Sequence, residues 1–152
     1  MLLVIRKAAR RLLALDDDGG TMLSCPIALG SSPVGPKERA GDGKTPEGEY
    51  FVCVKKQGKY GPSLGVSYPN ERDALHGLRS GLFVPPGLIS LIREKAARGE
   101  RPPWGTELGG EIYIHGGGTD TDWTAGCVAL SDADAEKLYA LVPLGTPIRI
   151  EP

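Results

Sequence analysis

Apolar and polar positions near the start of the chain come in short bursts. Leu2 to Ile5 is apolar and is closed by Arg6-Lys7, and Leu12 to Leu15 runs into Asp16-Asp17-Asp18-Gly19-Gly20, a strong turn signal. After that turn Leu23, Cys25, Ile27 and Leu29 alternate with Met22, Ser24, Pro26 and Ala28. A period of two marks a half-buried strand. Pro26 has no N–H to offer a neighbour, so this strand is expected at a sheet edge. Residues 2–29 therefore read as strands.

Residues 30–49 are dense in glycine and proline and read as a loop. Loops of that length in compact domains are usually functional or disordered. A strand follows at Tyr50 to Val54. Asn70, with Asp73 at the third helical position, caps a short predicted helix. Pro86 opens a second, in which Leu88, Leu91 and Ile92 keep helical spacing and Gly99 ends the run. Gly109-Gly110 leads into a short strand, Glu111 to His115. Ser131 with Asp134 resembles a capping box for a helix through Leu141, and Pro147 to Ile150 is a last strand. No repeat, low-complexity tract or linker intervenes. The pattern predicts one domain over residues 1–152, mainly β (β-rich α+β), with two or three peripheral helices.

Composition narrows the function classes. The 22 Gly and 13 Pro suit a turn-rich β domain, and 40% hydrophobic residues exclude a disordered chain. Lys and Arg total 18 against 19 Asp and Glu, which gives no electrostatic case for nucleic acid or a membrane surface. The apolar run at Met1 to Ile5 is too short for a signal-peptide core, and no stretch approaches the roughly 20 residues of a transmembrane segment. Either the protein is cytosolic, or an export signal lies outside this sequence. Cys25, Cys53 and Cys127 cannot all pair within one chain, and none sits in a CxxC pair. With only His76 and His115 as imidazoles, a zinc site finds little support.

Cysteine attacks as the thiolate, so a catalytic cysteine needs a partner that takes its proton. Ile112-Tyr113-Ile114-His115-Gly116 ends a predicted strand on an imidazole, and Thr124-Ala125-Gly126-Cys127-Val128 follows a polar, glycine-rich loop. Two adjacent strand ends can bring His115 and Cys127 together. Gly126 would let a substrate carbonyl approach the backbone, and N–H groups around Gly126 and Cys127 could bind a developing oxyanion. Cys25 and Cys53, on apolar strand patterns, read as buried small hydrophobes. His76 reads as structural or solvated.

The His115-Gly116 pair, followed by a loop and Thr124-Ala125-Gly126-Cys127, resembles the signature of the YkuD-type L,D-transpeptidase family. Gly41-Asp42-Gly43-Lys44-Thr45-Pro46-Glu47-Gly48-Glu49-Tyr50 resembles a second stretch of that family, and Pro26 to Gly30 with Gly35-Pro36-Lys37 a third. Ser67-Tyr68-Pro69-Asn70 and Asp122-Trp123-Thr124-Ala125-Gly126-Cys127 look like a subgroup close to the YafK-like murein transpeptidase branch.

The resemblance implies a β-sandwich or barrel and acyl transfer on peptidoglycan stem peptides (muropeptides) in the bacterial cell envelope or periplasm. Cys127 would form a thioester, His115 would act as base, and the carbonyl of Gly116 would hold the imidazole tautomer. Gly126, Thr124, Trp123 and Tyr68 become candidates for contact with substrate or oxyanion, with Trp123 either a core aromatic or a cleft wall. Carbapenem-type β-lactams would acylate Cys127. Water in place of an acceptor amine would make the enzyme a carboxypeptidase or amidase, and a non-catalytic cell-wall binding module is the other alternative.

Two departures bear on substrate. Many family members carry His where this chain has Ala125, and Arg where it has Ala129. An Arg there suits a forked grip on a carboxylate. Lys37, Arg39, Arg72 and Arg79 are the candidate replacements, each equally readable as solvated surface charge.

Overall fold

The computed structural model describes residues 1–152. In chain order the elements are β1 (Leu2–Arg6), β2 (Arg11–Leu15), β3 (Thr21–Pro26), β4 (Gly48–Gly58), β5 (Gly61–Val66), α1 (Glu71–Arg79), α2 (Leu88–Ala97), β6 (Tyr113–His115), β7 (Val128–Ala129), α3 (Asp132–Leu141) and β8 (Pro147–Glu151). The eight strands form one mixed sheet in the order β3-β2-β1-β8-β4-β5-β6-β7. The last strand lies mid-sheet, parallel to β1 and antiparallel to β4, and so joins the N-terminal meander to the central hairpin. The sheet is curled into a half-barrel around a core that includes Leu3, Ile5, Leu12, Val52, Leu64 and Ile148.

The pattern in the sequence anticipates most of this. β3 is an edge strand, as Pro26 implied. Asn70 and Asp73 form a reciprocal capping box on α1. Ser131 accepts from the Asp134 N–H to cap α3, although no return bond closes the box. The second helix starts at Leu88 behind Gly87, slightly later than Pro86 suggested. Two differences are larger. The expected strand from Tyr50 to Val54 is an eleven-residue β4, and it pairs with β5, a strand not foreseen. β5 contains Gly61, Pro62, Ser63 and Gly65, poor strand formers. Gly65 is nonetheless required, because a Cβ there would lie 2.9 Å from Cβ of Val54 on the paired strand.

The long loop between β3 and β4 is ordered by buried polar groups. Lys7, 2% exposed, donates from Nζ to the carbonyls of Gly35 (2.9 Å) and Thr45 (2.8 Å) and to Glu47 Oε2 (2.9 Å). Asp42 accepts from Lys37 Nζ and from the backbone N–H groups of Glu38, Arg39 and Lys44. A buried lysine whose partners are all satisfied holds the loop down, whereas removing it strands a carboxylate and two carbonyls. Lys7→Met is expected to lower unfolding free energy by about 3 kcal/mol. Arg6→Met, which breaks only the exposed 4.0 Å pair with Glu151, should change it by about 0.5 kcal/mol or less. Urea unfolding of both variants measures the contrast, and equal losses would contradict it.

Candidate active site

The two ends of the half-barrel meet beside Cys127. After β3 the chain crosses to the opposite edge, where Ala28 and Ala129 exchange both backbone hydrogen bonds at 2.9 Å. The Ser31 N–H donates to the Thr124 carbonyl (2.9 Å) and the Thr124 N–H to that of Leu29 (3.3 Å). Asp122, held by Arg10, accepts from the Leu29 N–H at 2.9 Å. The turn carrying the cysteine is thus clamped from both sides.

Thr124 is buried and builds that turn. Its Oγ1 donates to the Cys127 carbonyl (2.7 Å) and accepts from the Gly126 N–H (3.1 Å). Gly126 has φ 140°, and a Cβ there would sit 2.8 Å from the Lys44 carbonyl oxygen. No other residue fits. The Gly126 N–H is therefore already engaged, which corrects its expected part in an oxyanion site. The Cys127 N–H has no acceptor within the protein and is the donor left for a developing negative charge.

β6 and β7 run parallel, with Ile114 beside Val128 and His115 beside Ala129. Ile112 and Ile114 face the core, so Tyr113 and His115 occupy the other face, which Cys127 shares. Cys127 Sγ accepts from the Tyr113 N–H (3.3 Å) and donates to the Glu111 carbonyl (3.5 Å). Glu111 sits in a left-handed conformation, φ 55°. His115 is a diagonal neighbour of the thiol and is not hydrogen-bonded to it in this resting state. A change of Cys127 side-chain rotamer is the motion that would join them.

His115 donates from Nδ1 to the Gly116 carbonyl at 2.6 Å. A carbonyl only accepts, so Nδ1 carries the proton and Nε2 presents its lone pair. Nε2 has no protein partner, and no buried side-chain nitrogen or oxygen is left unpaired, so this atom is open to the site. A Cβ at Gly116 would press on Asp132 Oδ1 at 2.5 Å and on the Tyr60 carbonyl oxygen at 3.2 Å, so that carboxylate would have to move aside. Asp132 also accepts from the Gly117 N–H, which sets the turn after the histidine.

Aromatic rings surround the imidazole. Tyr60, in the β4–β5 turn, stacks on it with ring centres 4.6 Å apart and planes 18° apart. Trp123 meets both rings edge-on, its Nε1 donating to the Gly118 carbonyl at 3.0 Å. It is half-buried against the imidazole and does not border the Cys127 cleft. Tyr68 lies elsewhere. It is fully buried, with its hydroxyl donated to the Leu108 carbonyl, so its place is in the core and not against a substrate. Cys25 and Cys53 are buried as read, and burial pushes both thiols up to about 11. His76 is exposed on α1, 3.1 Å from Glu38.

Cys127 opens into a cleft of about 470 Å3 bordered by Lys37, Gly41, Trp104, Thr106, Glu111 and Ala125. Of the four candidate cations only Lys37 borders it. That ammonium is already held by Asp42 Oδ1 (2.9 Å) and the Arg39 carbonyl (3.0 Å). Arg39 borders a separate depression with His76 and Leu82, and Arg72 and Arg79 lie in another with Asn70 and Arg93. Tyr60 and Trp104 were not singled out from sequence. Each is a lone aromatic in a turn or loop, and no spacing ties it to the His115 or Cys127 motif.

Burial raises the Cys127 thiol pKa, opposed by the Tyr113 N–H and by Lys37. Burial lowers that of His115, opposed by the Gly116 carbonyl. Both shifts favour a neutral thiol beside a neutral imidazole at pH 7. The imidazole is therefore unprotonated from below the ordinary 6.5 of histidine upward, the state a base would need. An NMR titration of His115 is expected to give a midpoint below 6.5, with Tyr60→Ala moving it up towards 6.5 as water reaches the ring. Tyr60→Phe, which keeps the stacked face, should stay near wild type. A wild-type midpoint at or above 6.5 would contradict the burial assigned to the ring.

Comparison with known proteins bears on the fold and the family. The family model for the L,D-transpeptidase catalytic domain, YkuD, matches residues 1–150. The fold is similar to that of the helical cell shape determining protein Pgp2 (K307A mutant) from Campylobacter jejuni, with TM-score 0.67 and 24% identity, covering 99% of this chain and 46% of that one. It is also similar to Bd1075 of Bdellovibrio bacteriovorus, at TM-score 0.60 and 22% identity over 99% of this chain and 47% of that one. The L,D-transpeptidase LdtMt1 in complex with imipenem gives TM-score 0.53 and 16% identity, with 99% of this chain and 58% of that chain covered. The chain thus spans about half the length of Pgp2 and Bd1075. No curated protein matches it. At these identities the solved structures establish a shared fold, and the family model over nearly every residue establishes more: this chain belongs to the YkuD family of L,D-transpeptidase catalytic domains.

Proposed function

We propose that this domain is an L,D-transpeptidase of the YafK-like murein branch, with Cys127 as nucleophile and His115 as general base. The observation that carries the reading is the state of His115. Its Nδ1 proton is committed to the Gly116 carbonyl, and its Nε2 lone pair is open on the face it shares with the Cys127 thiol. That is the tautomer a base needs.

In the proposed sequence Sγ leaves Glu111 and passes its proton to Nε2. The thiolate adds to the carbonyl of the diamino acid in a donor stem tetrapeptide, and the resulting oxyanion takes the Cys127 N–H. His115 returns the proton to the departing amine of the terminal D-residue, which leaves a thioester on Cys127. An acceptor stem amine then attacks, His115 takes the amine proton, and the thiol is restored with a new amide bond. Water as acceptor gives the hydrolytic alternative through the same thioester. No step calls for a metal or organic cofactor. The substrate places the work in the bacterial envelope, and no helix of the structure is long and apolar enough to cross a membrane.

Because LdtMt1 is known with imipenem, a carbapenem is the accessible probe. Its strained carbonyl is expected to acylate Cys127 and neither Cys25 nor Cys53, as read by peptide mapping. An adduct on either buried cysteine, or none, would contradict the assignment. With muropeptide substrate, Cys127→Ala should abolish turnover and His115→Ala should cost on the order of 10²–10⁴ in rate. Retained activity in Cys127→Ala would exclude the thioester.

A further inference from the structure

Gly116, Gly117 and Gly118 follow the histidine, and the peptide between the first two is the one that faces the imidazole. Its carbonyl accepts from His115 Nδ1 at 2.6 Å, and its N–H donates to Asp132 Oδ1 at 2.9 Å. The peptides on either side are anchored by other groups. The His115 carbonyl accepts from the Leu130 N–H (2.7 Å), and the Gly118 N–H donates to the Leu130 carbonyl (2.9 Å). The Gly118 carbonyl accepts from Trp123 Nε1 at 3.0 Å. The 116–117 peptide is left to Asp132.

A peptide flanked by glycines turns over at little cost, since neither side carries a Cβ to oppose the change of φ and ψ. Gly117 and Gly118 already sit at φ 109° and 110°, where other residues are strained. Turning the 116–117 peptide over would exchange the group it offers the ring. Nδ1 would then meet an N–H, would have to accept, and the proton would move to Nε2. In that form Nε2 has no lone pair for a thiol proton. The same rotation would set the carbonyl against Asp132, and an ionised carboxylate only accepts. Asp132 therefore favours one orientation by a hydrogen bond and opposes the other by its charge. Helix α3 keeps the carboxylate in place. Asp132 is its first residue, behind the Ser131 cap, and negative charge is favoured at a helix N-terminus.

We propose that Asp132 is a latch on this peptide, holding the Gly116 carbonyl towards His115 and so keeping the imidazole proton on Nδ1. The proposal rests on the acyl-transfer reading for the use to which Nε2 is put. Asp132 does not border the Cys127 cleft, and its hydrogen bond goes to the Gly117 N–H and not to the thiol or the imidazole. It is a positioning residue that acts through one peptide group.

The tautomer can be read without substrate, from the two ring-nitrogen NMR shifts of labelled His115 at a pH well above its midpoint. Wild type is expected to carry the proton on Nδ1 and to protect the Gly117 amide from hydrogen exchange. Asp132→Ala should move a measurable share of the proton to Nε2. With muropeptide substrate it should lower kcat on the order of 10-fold at unchanged KM, part of what a positioned base contributes. Asp132→Asn keeps an acceptor oxygen and should stay close to wild type in both readouts. A wild-type tautomer or a wild-type kcat in Asp132→Ala would overturn the latch, and so would Asp132→Asn failing as alanine does. An unprotected Gly117 amide in wild type would overturn it too, and that measurement holds even if Asp132→Ala does not fold. The transpeptidase reading fails separately. In that case wild type turns over no muropeptide, while the tautomer still changes with Asp132→Ala and recovers with Asp132→Asn.

Discussion

The backbone hydrogen bonds between residues 28–31 and 124–129 decide where everything else at the site can stand. An open eight-stranded sheet has two edges, and here the chain that leaves one edge is sewn onto the other. Cys127 lies at that seam. Its turn is held on one side by Ala28, Leu29 and Ser31 and on the other by the parallel register of β6 and β7. Lys7 and Asp42 reinforce the arrangement at one remove, since they order the loop whose Lys44 carbonyl packs on Gly126. A buried charge in the loop, a glycine with no room for a side chain and the seam together hold one N–H free at residue 127.

The site this produces is electrically quiet at rest. Burial disfavours both the thiolate and the imidazolium, so the thiol waits on backbone groups of Tyr113 and Glu111 while the imidazole keeps its lone pair open. An ion pair formed in advance would react with any electrophile that entered. In the proposed reaction a neutral pair would gain its charge only when a carbonyl arrives to receive the attack, and the desolvation that suppresses the ions at rest would strengthen whatever the Cys127 N–H does for an oxyanion. Tyr60 and Trp123 contribute by keeping water from two sides of the imidazole.

Much of this was legible in the sequence, and the part that was not has a physical cause. Local signals read through. Asn70 with Asp73 and the edge proline at Pro26 each act over a few residues and do in the structure what their chemistry implied, and Ser131 caps α3 through its own side chain without the return bond from Asp134. His115 and Cys127 were singled out through the resemblance to the family signature, since a lone cysteine or histidine on a strand reads equally as structural, and the structure sets the two on one face of adjacent strand ends. What failed depends on distant partners. β5 looks unlike a strand because Gly65 answers to Val54 across the hairpin and not to its own propensity. Tyr60 and Trp104 acquire meaning only when the curled sheet brings them against His115 and Tyr113. Tyr68 and Gly126 were assigned outward roles that their buried hydrogen bonds already fill.

The central claim is that Cys127 carries an acyl group between two stem peptides. Intact-mass spectrometry of the protein mixed with purified muropeptides, quenched early, tests it directly. The expected result is a protein heavier by one stem acyl group, mapped to Cys127, together with free terminal D-residue and, later, cross-linked or trimmed product. A protein of unchanged mass beside unchanged muropeptides, under conditions where the fold is intact, would contradict it.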